Sequence, residues 1–302
     1  MPEAAALMGI DWGTTSFRAY LLDRQGDILE RREAPAGILQ VADRAFEDVL
    51  ISEVGPWLER DRVPVIASGM ITSRQGWVET PYLPCPAGAG NLADALVGYS
   101  AGDSEILFVP GLKVEDERGV PDVIRGEETQ IAGLADSGGE LDVVLPGTHS
   151  KWARVQDHRI TTFRTFMTGE LYGVLRTHSI LGRLMEADDH DPEAFARGVD
   201  IAGEAGEGLL RKLFGVRTLG LFDRLPATAT GAYLSGLLIG TEIAEAIGQR
   251  RFERPVLVAG ERRLAARYLE VLARRGVAAE PAPDDLAGRG QWTIARHAGL
   301  VG

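Results

Sequence analysis

Six consecutive residues near the start of the chain, Asp11-Trp12-Gly13-Thr14-Thr15-Ser16, combine the groups needed to hold a phosphate. The apolar run Leu7 to Ile10 precedes them and the alternating segment Phe17 to Leu22 follows, so two short strands should flank a tight turn. In such a turn Gly13 lets backbone amides approach an anion, and Thr14, Thr15 and Ser16 add hydroxyl donors. Asp11, at the strand end, is placed to hold Mg²⁺ through water. Asp, Gly, Thr and Ser also favour ordinary turns for local reasons, so the motif alone leaves an ordinary hairpin open.

Order along the chain shifts the balance. A second apolar strand, Leu141 to Leu145, runs into Pro146-Gly147-Thr148-His149-Ser150-Lys151 and then into more strand-like sequence, Trp152 to Val155. A third, Pro255 to Ala259, ends at Gly260-Glu261. It opens a helix whose apolar residues Leu264, Ala265, Tyr268, Leu269 and Leu272 fall at helical spacing. An adenosine could rest on that glycine turn. Lys151 stands out because the chain has only three lysines among 32 basic residues, so a lysine inside a glycine-threonine turn suits a β- or γ-phosphate. His149 suits a phosphate, a substrate or the turn itself.

Strand, Asp-x-Gly-Thr, strand, then strand, Gly-Thr, strand, then strand, Gly, helix resembles the actin, hexokinase and Hsp70 superfamily over nearly the whole length. Within it the chain is similar to the 2-dehydro-3-deoxygalactonokinase family, bacterial sugar-acid kinases of galactonate breakdown. That resemblance rests on residues 9–15 (Gly-Ile-Asp-Trp-Gly-Thr-Thr), 67–71 (Ala-Ser-Gly-Met-Ile) and 125–130 (Arg-Gly-Glu-Glu-Thr-Gln). It rests further on 145–152 (Leu-Pro-Gly-Thr-His-Ser-Lys-Trp), 167–170 (Met-Thr-Gly-Glu) and 234–240 (Leu-Ser-Gly-Leu-Leu-Ile-Gly). It implies an α/β, two-domain actin-like ATPase (ribonuclease H-like) fold, each domain a mixed sheet flanked by helices, with ATP in the interdomain cleft. It also implies ATP and Mg²⁺ as cofactors, and transfer of the γ-phosphate to the C6 hydroxyl of 2-dehydro-3-deoxy-D-galactonate. Gly13 to Ser16 and Gly147 to Lys151 would hold the phosphates from opposite sides, and closure of the domains would exclude water.

In the kinases the chain resembles, an aspartate just after a glycine, opening a helix, serves as general base. The matching place here is Gly126-Glu127-Glu128-Thr129-Gln130, a Glu-for-Asp departure. Glu127 aligns best by its glycine neighbour, with Glu128 as the fallback. Acidic residues also suit a first helical turn for electrostatic reasons alone. Arg125, next door, could meet the carboxylate of a sugar acid.

For the substrate, the segment Ser68 to Gly90 follows a buried strand, where α/β proteins place ligand loops. Ser68, Thr72, Ser73 and Arg74 are candidate hydroxyl or carboxylate contacts, and Trp77 or Tyr82 could lie on the carbon chain. Thr168 and Glu170, at a helix start, are candidates from the other domain.

The elements that must position these groups read as α/β throughout. Asp27 to Glu33 extends the first hairpin, and a helix follows with Ala42, Phe46, Val49, Val54, Trp57 and Leu58 on one face. Strands are expected at Val63 to Ala67 and Glu105 to Val109, a helix at Glu127 to Ala135, and a second meander at 141–145, 151–156 and 159–165. A helical block runs from Thr168 to Gly248, its clearest member Thr230 to Ile247, with Gly236 and Gly240 allowing close helix packing. The glycine pair at Ser137-Gly138-Gly139 is the expected boundary, giving domains 1–139 and 140–302.

Composition excludes several classes. A net charge of −12 speaks against a general nucleic-acid surface. The single cysteine, Cys85, rules out an internal disulfide and fits a reducing compartment. No apolar stretch reaches the roughly 20 residues of a membrane span, and the start lacks the basic residues of a secretion signal, so a cytoplasmic protein with a small-molecule partner, no membrane and no nucleic acid is expected. A homo-oligomer stays open. His158, His178, His190 and His297 show no metal-ligand spacing. Gly88-Ala89-Gly90-Asn91-Leu92-Ala93 fits a dinucleotide fingerprint only formally, because a proline-rich loop precedes it. The rival readings are a kinase for another sugar or sugar acid, and an actin- or Hsp70-like ATPase in which the nucleotide switches partners. No partner-binding segment is expected at either end.

Overall fold

The computed structural model of the protein describes residues 4–102, 104–134, 140–186, 190–248 and 252–302. The chain divides into two compact units, one of Met1–Leu141, Ala153–Phe163 and Pro283–Gly302, the other of Asp142–Trp152 and Arg164–Ala282. The glycine pair at 138–139 lies outside the described residues.

In the first unit, β1 (Leu7–Trp12) and β2 (Phe17–Leu22) form the expected antiparallel hairpin, with Trp12 opposite Phe17 and Asp11 opposite Arg18. β3 (Ile28–Ala34) extends it on one side and β4 (Val65–Ser68) pairs parallel to β1 on the other. Adding β7 (Val97–Ala101) and β8 (Ser104–Phe108) completes a mixed sheet of order β3-β2-β1-β4-β8-β7. Buried on both faces, β1 shows no alternation, its residues being apolar or glycine except for Asp11 near its end. Met8, Ile10, Trp12, Phe17, Phe46 and Phe108 build the core.

The helix expected from Ala42 begins later. α1 (Phe46–Asp61) is preceded by a short 3₁₀ turn in which Asp43 and Arg44 take positive φ, a conformation that breaks helical continuation. α3 is also shorter than its pattern, Glu127–Ala132, with Gly133 as its C-cap.

The span between β4 and α3 holds elements the sequence did not reveal. β5 (Tyr82–Pro84), β6 (Ala87–Gly88) and α2 (Ala89–Asp94) interrupt the segment read as a loop. β9 (Gly111–Glu115) and β10 (Pro121–Ile124) form a hairpin whose β9 pairs with β5. These pieces are too short, and too rich in Gly and Pro, to carry a periodic signal.

α9 (Leu286–His297), near the end of the chain, belongs to this first unit. It touches α3 so closely that a Cβ on Gly290 would fall 1.7 Å from the carbonyl oxygen of Thr129. Only glycine allows that approach.

In the second unit, β11 (Leu141–Leu145) pairs parallel to β14 (Val256–Val258), which pairs parallel to β15 (Ala279–Pro281). β12 (Ser150–Gln156) and β13 (Arg159–Phe166) form the second hairpin, with residues 153–163 at its tip grouped with the first unit. The helices are α4 (Thr168–His178), α5 (Pro192–Gly203), α6 (Leu209–Leu221), α7 (Ala227–Ile247) and α8 (Arg262–Arg274). α7 is buried almost all round, as expected of a helix inside a core. It meets α5 at Gly236, whose Cβ would lie 2.0 Å from the Phe195 carbonyl oxygen, and at Gly198, facing Tyr233. Among the described residues no helix is long and apolar enough to cross a membrane.

Candidate active site

The β1–β2 turn is braced by residues 36–39. The amides of Ile38 and Leu39 donate to the carbonyls of Gly13 and Thr14 at 3.0 and 3.2 Å, and Trp12 Nε1 donates to the Ala36 carbonyl at 2.7 Å. A trans peptide points its N–H opposite to its C=O, so the Thr14 and Thr15 amides are directed away from that bracing segment. Gly37 is what lets the brace come so near: a Cβ there would lie 2.3 Å from the Thr15 backbone. Thr14 and Thr15 are exposed and Ser16 is half-buried. The donor set is that of an anion cradle.

Beside the turn, Asp11 is 8 % exposed and 3.5 Å from Arg18. Burial raises its pKa; Arg18 opposes the shift and the charge of Glu127 reinforces it. Two left-handed glycines make room for this group. A Cβ on Gly69 (φ +95°) would meet the Trp12 carbonyl at 2.8 Å and Asp11 Oδ1 at 3.2 Å, and one on Gly126 (φ +105°) would meet Gly69 Cα at 3.1 Å. The end of β4 and the start of α3 are thereby stacked against the end of β1, which brings Glu127 within electrostatic reach of Asp11.

The two glutamates of α3 part company. Glu127 is half-buried and accepts from the Arg125 amide at 3.0 Å. Glu128 is 1 % exposed, accepts from the Gly126 amide at 2.7 and 2.9 Å and from Thr129 Oγ1 at 3.0 Å, and is pushed up to about 7, chiefly by burial and then by Glu127. It lies in the wall of a cavity of about 380 Å³ shared with Asn91, Ile131, Thr293 and His297.

Several substrate-loop residues are committed to the protein itself. Arg125 donates to Thr72 (carbonyl 2.5 Å, Oγ1 2.6 Å), to Thr80 (Oγ1 2.6 Å, carbonyl 3.1 Å) and to Tyr82 Oη at 3.2 Å, with its guanidinium 4.2 Å over the Tyr82 ring. It holds the 72–82 segment together. Ser68 is buried and accepts from Gln291 Nε2 at 2.9 Å. Trp77 joins the core aromatics, stacked on Phe46 and edge-on to Phe108. Ser73 Oγ is buried without a hydrogen-bond partner, whereas Arg74 is exposed. Burial pushes the Cys85 thiol up to about 11, which keeps it protonated at neutral pH.

In the second unit, the 146–149 turn is open above Gly147, where a Cβ would meet nothing within 4 Å. Thr148 and His149 are exposed, and His149 Nε2 bonds Glu170. Lys151 is 6 % exposed and its ammonium donates to the His149 carbonyl at 2.6 Å, bracing the turn from beneath. Gly169 lets α4 start directly against this turn, and the Glu170 amide donates to the Thr148 carbonyl at 2.9 Å. Gly260 (φ +110°) places its missing Cβ 3.3 Å from the Pro146 carbonyl oxygen, so the third glycine turn borders the second. Glu261 spends its carboxylate on capping α8, accepting from the Arg263 and Leu264 amides at 2.9 Å, which hold its pKa down.

Ser150 faces inward. It is fully buried, and its hydroxyl meets Tyr268 Oη at 2.8 Å. A cavity of about 310 Å³ opens here, lined by Gly147, Thr148, Thr168, Tyr172, Arg267 and Tyr268 among others. Arg267, which donates to Ser235 at 3.0 Å, and Tyr172 are site residues the sequence did not single out, because neither lies in a glycine motif.

The donor sets fit the expected ligands. Backbone and hydroxyl groups at 13–16 and 147–148 suit phosphates. Among the described residues there is no cluster of three or more His, Cys, Asp or Glu that could hold a metal ion.

A model of the 2-keto-3-deoxy-galactonokinase family matches residues 11–294. A Rhizobium meliloti (strain 1021) protein assigned as a 2-dehydro-3-deoxygalactonokinase is 35% identical over 304 residues, 99% of either chain. The 2-dehydro-3-deoxygalactonokinase of Escherichia coli (strain K12) is 35% identical over 273 residues, 90% of this chain and 91% of that one. A crystal structure of a Sinorhizobium meliloti protein given the same assignment superimposes with a TM-score of 0.87 at 35% identity, covering 96% of this chain and 98% of the other. At 13% identity, the ADPNP-bound activator of 2-hydroxyisocaproyl-CoA dehydratase from Clostridium difficile superimposes with a TM-score of 0.52 over 97% of this chain and 93% of its own, a likeness of fold alone. The fold is the α/β actin-like ATPase fold anticipated from the glycine turns, and the chain belongs to the 2-keto-3-deoxy-galactonokinase family.

Proposed function

We propose that the chain transfers the γ-phosphate of ATP to the C6 hydroxyl of 2-dehydro-3-deoxy-D-galactonate. Membership of a family of sugar kinases supports phosphoryl transfer to an alcohol, and the arrangement around Asp11 supports this division of labour. The observation that carries it is the pairing of a partly exposed Glu127 with a buried Asp11 beside the Thr14–Ser16 turn, across a floor of two left-handed glycines.

Phosphoryl transfer through a loose transition state needs positioning and charge neutralisation more than covalent chemistry. The Thr14, Thr15 and Ser16 groups and the open Gly147–Thr148 backbone orient phosphate oxygens, with Lys151 fixing the second turn from below. Glu127 accepts the proton of the attacking hydroxyl as the new O–P bond forms and the bond from the γ-phosphorus to the bridging oxygen breaks, the electron pair leaving with ADP. Asp11 would hold Mg²⁺, and the ion would supply charge neutralisation at the phosphates. Gly260 and the 310 Å³ cavity lined by Gly147 and Tyr268 would take the adenosine, and Arg74, exposed at the head of the substrate loop, is the group offered to the sugar-acid carboxylate. Arg125 acts one step back, as the clamp that shapes that loop.

Glu128 is the weaker candidate for the base, because its oxygens are already occupied by the Gly126 amide and Thr129. A coupled ADP-release assay over a panel of 2-keto-3-deoxy sugar acids tests the reading. The galacto configuration should be turned over fastest, and release of ADP independent of any added sugar acid would overturn it.

A further inference from the structure

We propose that Glu242, on α7, is a positioning residue for the nucleotide, tying the beginning of β12 just after the second glycine turn, the start of α4 and the middle of α8 into one rigid wall. The proposal rests on the nucleotide reading of the 310 Å³ cavity given above.

Glu242 belongs to no glycine motif and is 3 % exposed. Its Oε1 accepts from Trp152 Nε1 at 2.8 Å, and its Oε2 accepts from Tyr268 Oη at 2.6 Å. The Thr168 and Ser150 hydroxyls lie within hydrogen-bond reach of the same carboxylate, and the Ser150 and Tyr268 oxygens are 2.8 Å apart. One buried carboxylate therefore gathers donors from β12, α4 and α8, three elements with little local reason to lie together. Two of the donors, Thr168 and Tyr268, themselves line the cavity, and Ser150 directly follows the turn that forms its rim. Leaving a carboxyl in a core is costly unless such donors meet it. Burial raises its pKa while those hydrogen bonds pull the other way. A group kept only to fill space would be better replaced by leucine, so the network itself points to a demand for fixed geometry.

The test uses the full chain and three measurements: Mg-ADP binding by calorimetry, the KM for ATP and the KM for the sugar acid. Glu242→Leu keeps the volume and removes every acceptor, and should raise the KM for ATP at least about tenfold, the equivalent of one or two lost hydrogen bonds to a charged group. The KM for the sugar acid should stay within about twofold, since that ligand is assigned to other residues. Glu242→Gln should recover most of the loss. Its amide oxygen can still accept from Trp152, and Tyr268 and the two hydroxyls can rotate to accept or donate as needed. A fall in kcat or in active fraction with both KM values unmoved would show a merely structural role and overturn the proposal, as would an equal rise in both.

If Glu242→Leu does not fold, Trp152→Phe removes one donor of the network without touching the cavity lining, and the same split between the two KM values is required of it. A wild-type chain that takes up no Mg-ADP would sink the nucleotide reading itself. Uptake by the wild type with no change in the variants would sink only the role of Glu242.

Discussion

At the residue scale, the chemistry turns on what each carboxylate has left to do once the fold has used it. Glu128 has both oxygens occupied, whereas Glu127 keeps part of its side chain in solvent. Glu127→Gln should therefore lower kcat by about 10²–10⁴ with little change in the KM for ATP, and Glu128→Gln by far less, in a steady-state ADP-release assay. Glu128 has a different signature. Its folded pKa, about 7, stands above its ordinary 4.5, so between those values the folded chain holds a proton that the unfolded chain has lost. The stability this group lends is fully present below about pH 4.5 and is lost as the pH rises through 7. Denaturant titrations at pH 5 and pH 8 should show a loss in the wild type that shrinks by about 2–3 kcal/mol in Glu128→Gln. An unchanged difference would remove the assignment of a buried acid there.

At the element scale, helices meet where glycine removes the side chain. α9 presses on α3 through Gly290 and Gly133, and α7 on α5 through Gly236 and Gly198. Gly236→Ala should cost about 1–3 kcal/mol or more by overpacking, read as a lower melting temperature with the KM values of the surviving enzyme unchanged. Gly290→Ala should behave differently. It pushes on the backbone of the helix that carries Glu127, so kcat should fall in the fraction that remains folded, an effect that circular dichroism and kinetics on the same sample separate. The hairpins and long helices were legible because their apolar period is set locally. β5, β6, β9 and β10 were not, since two to five residues of Gly- and Pro-rich strand gain their identity only from the strand they pair with.

For the whole molecule, the chain passes from one unit to the other at 141/142, 152/153, 163/164 and 282/283. The first unit thus takes in residues 153–163 and the closing α9, which supplies Gln291 to Ser68 and the contact with α3. A fragment of residues 1–139 should lack a cooperative melting transition by near-ultraviolet circular dichroism, while the full chain shows one. A cooperative transition in the fragment would mean that α9 is dispensable to that core. The sequence break at 138–139 carries no sign of this, because a glycine pair marks where a chain can turn and not which later segments return.

The amino-acid sequence by itself determined the two glycine turns, the place of Asp11 at the end of a strand, the acidic pair opening a helix at 127 and 128, and the family, since each is written in adjacent residues whose chemistry is local. Only the tertiary structure decided which of those residues remain available. Ser150 was claimed by Tyr268, Trp77 by Phe46 and Arg125 by Thr72 and Thr80, and Glu242 acquired donors from three elements. Those partners lie many residues away, and a hydrogen bond or ring contact between distant positions leaves no spacing in the sequence from which it could be read.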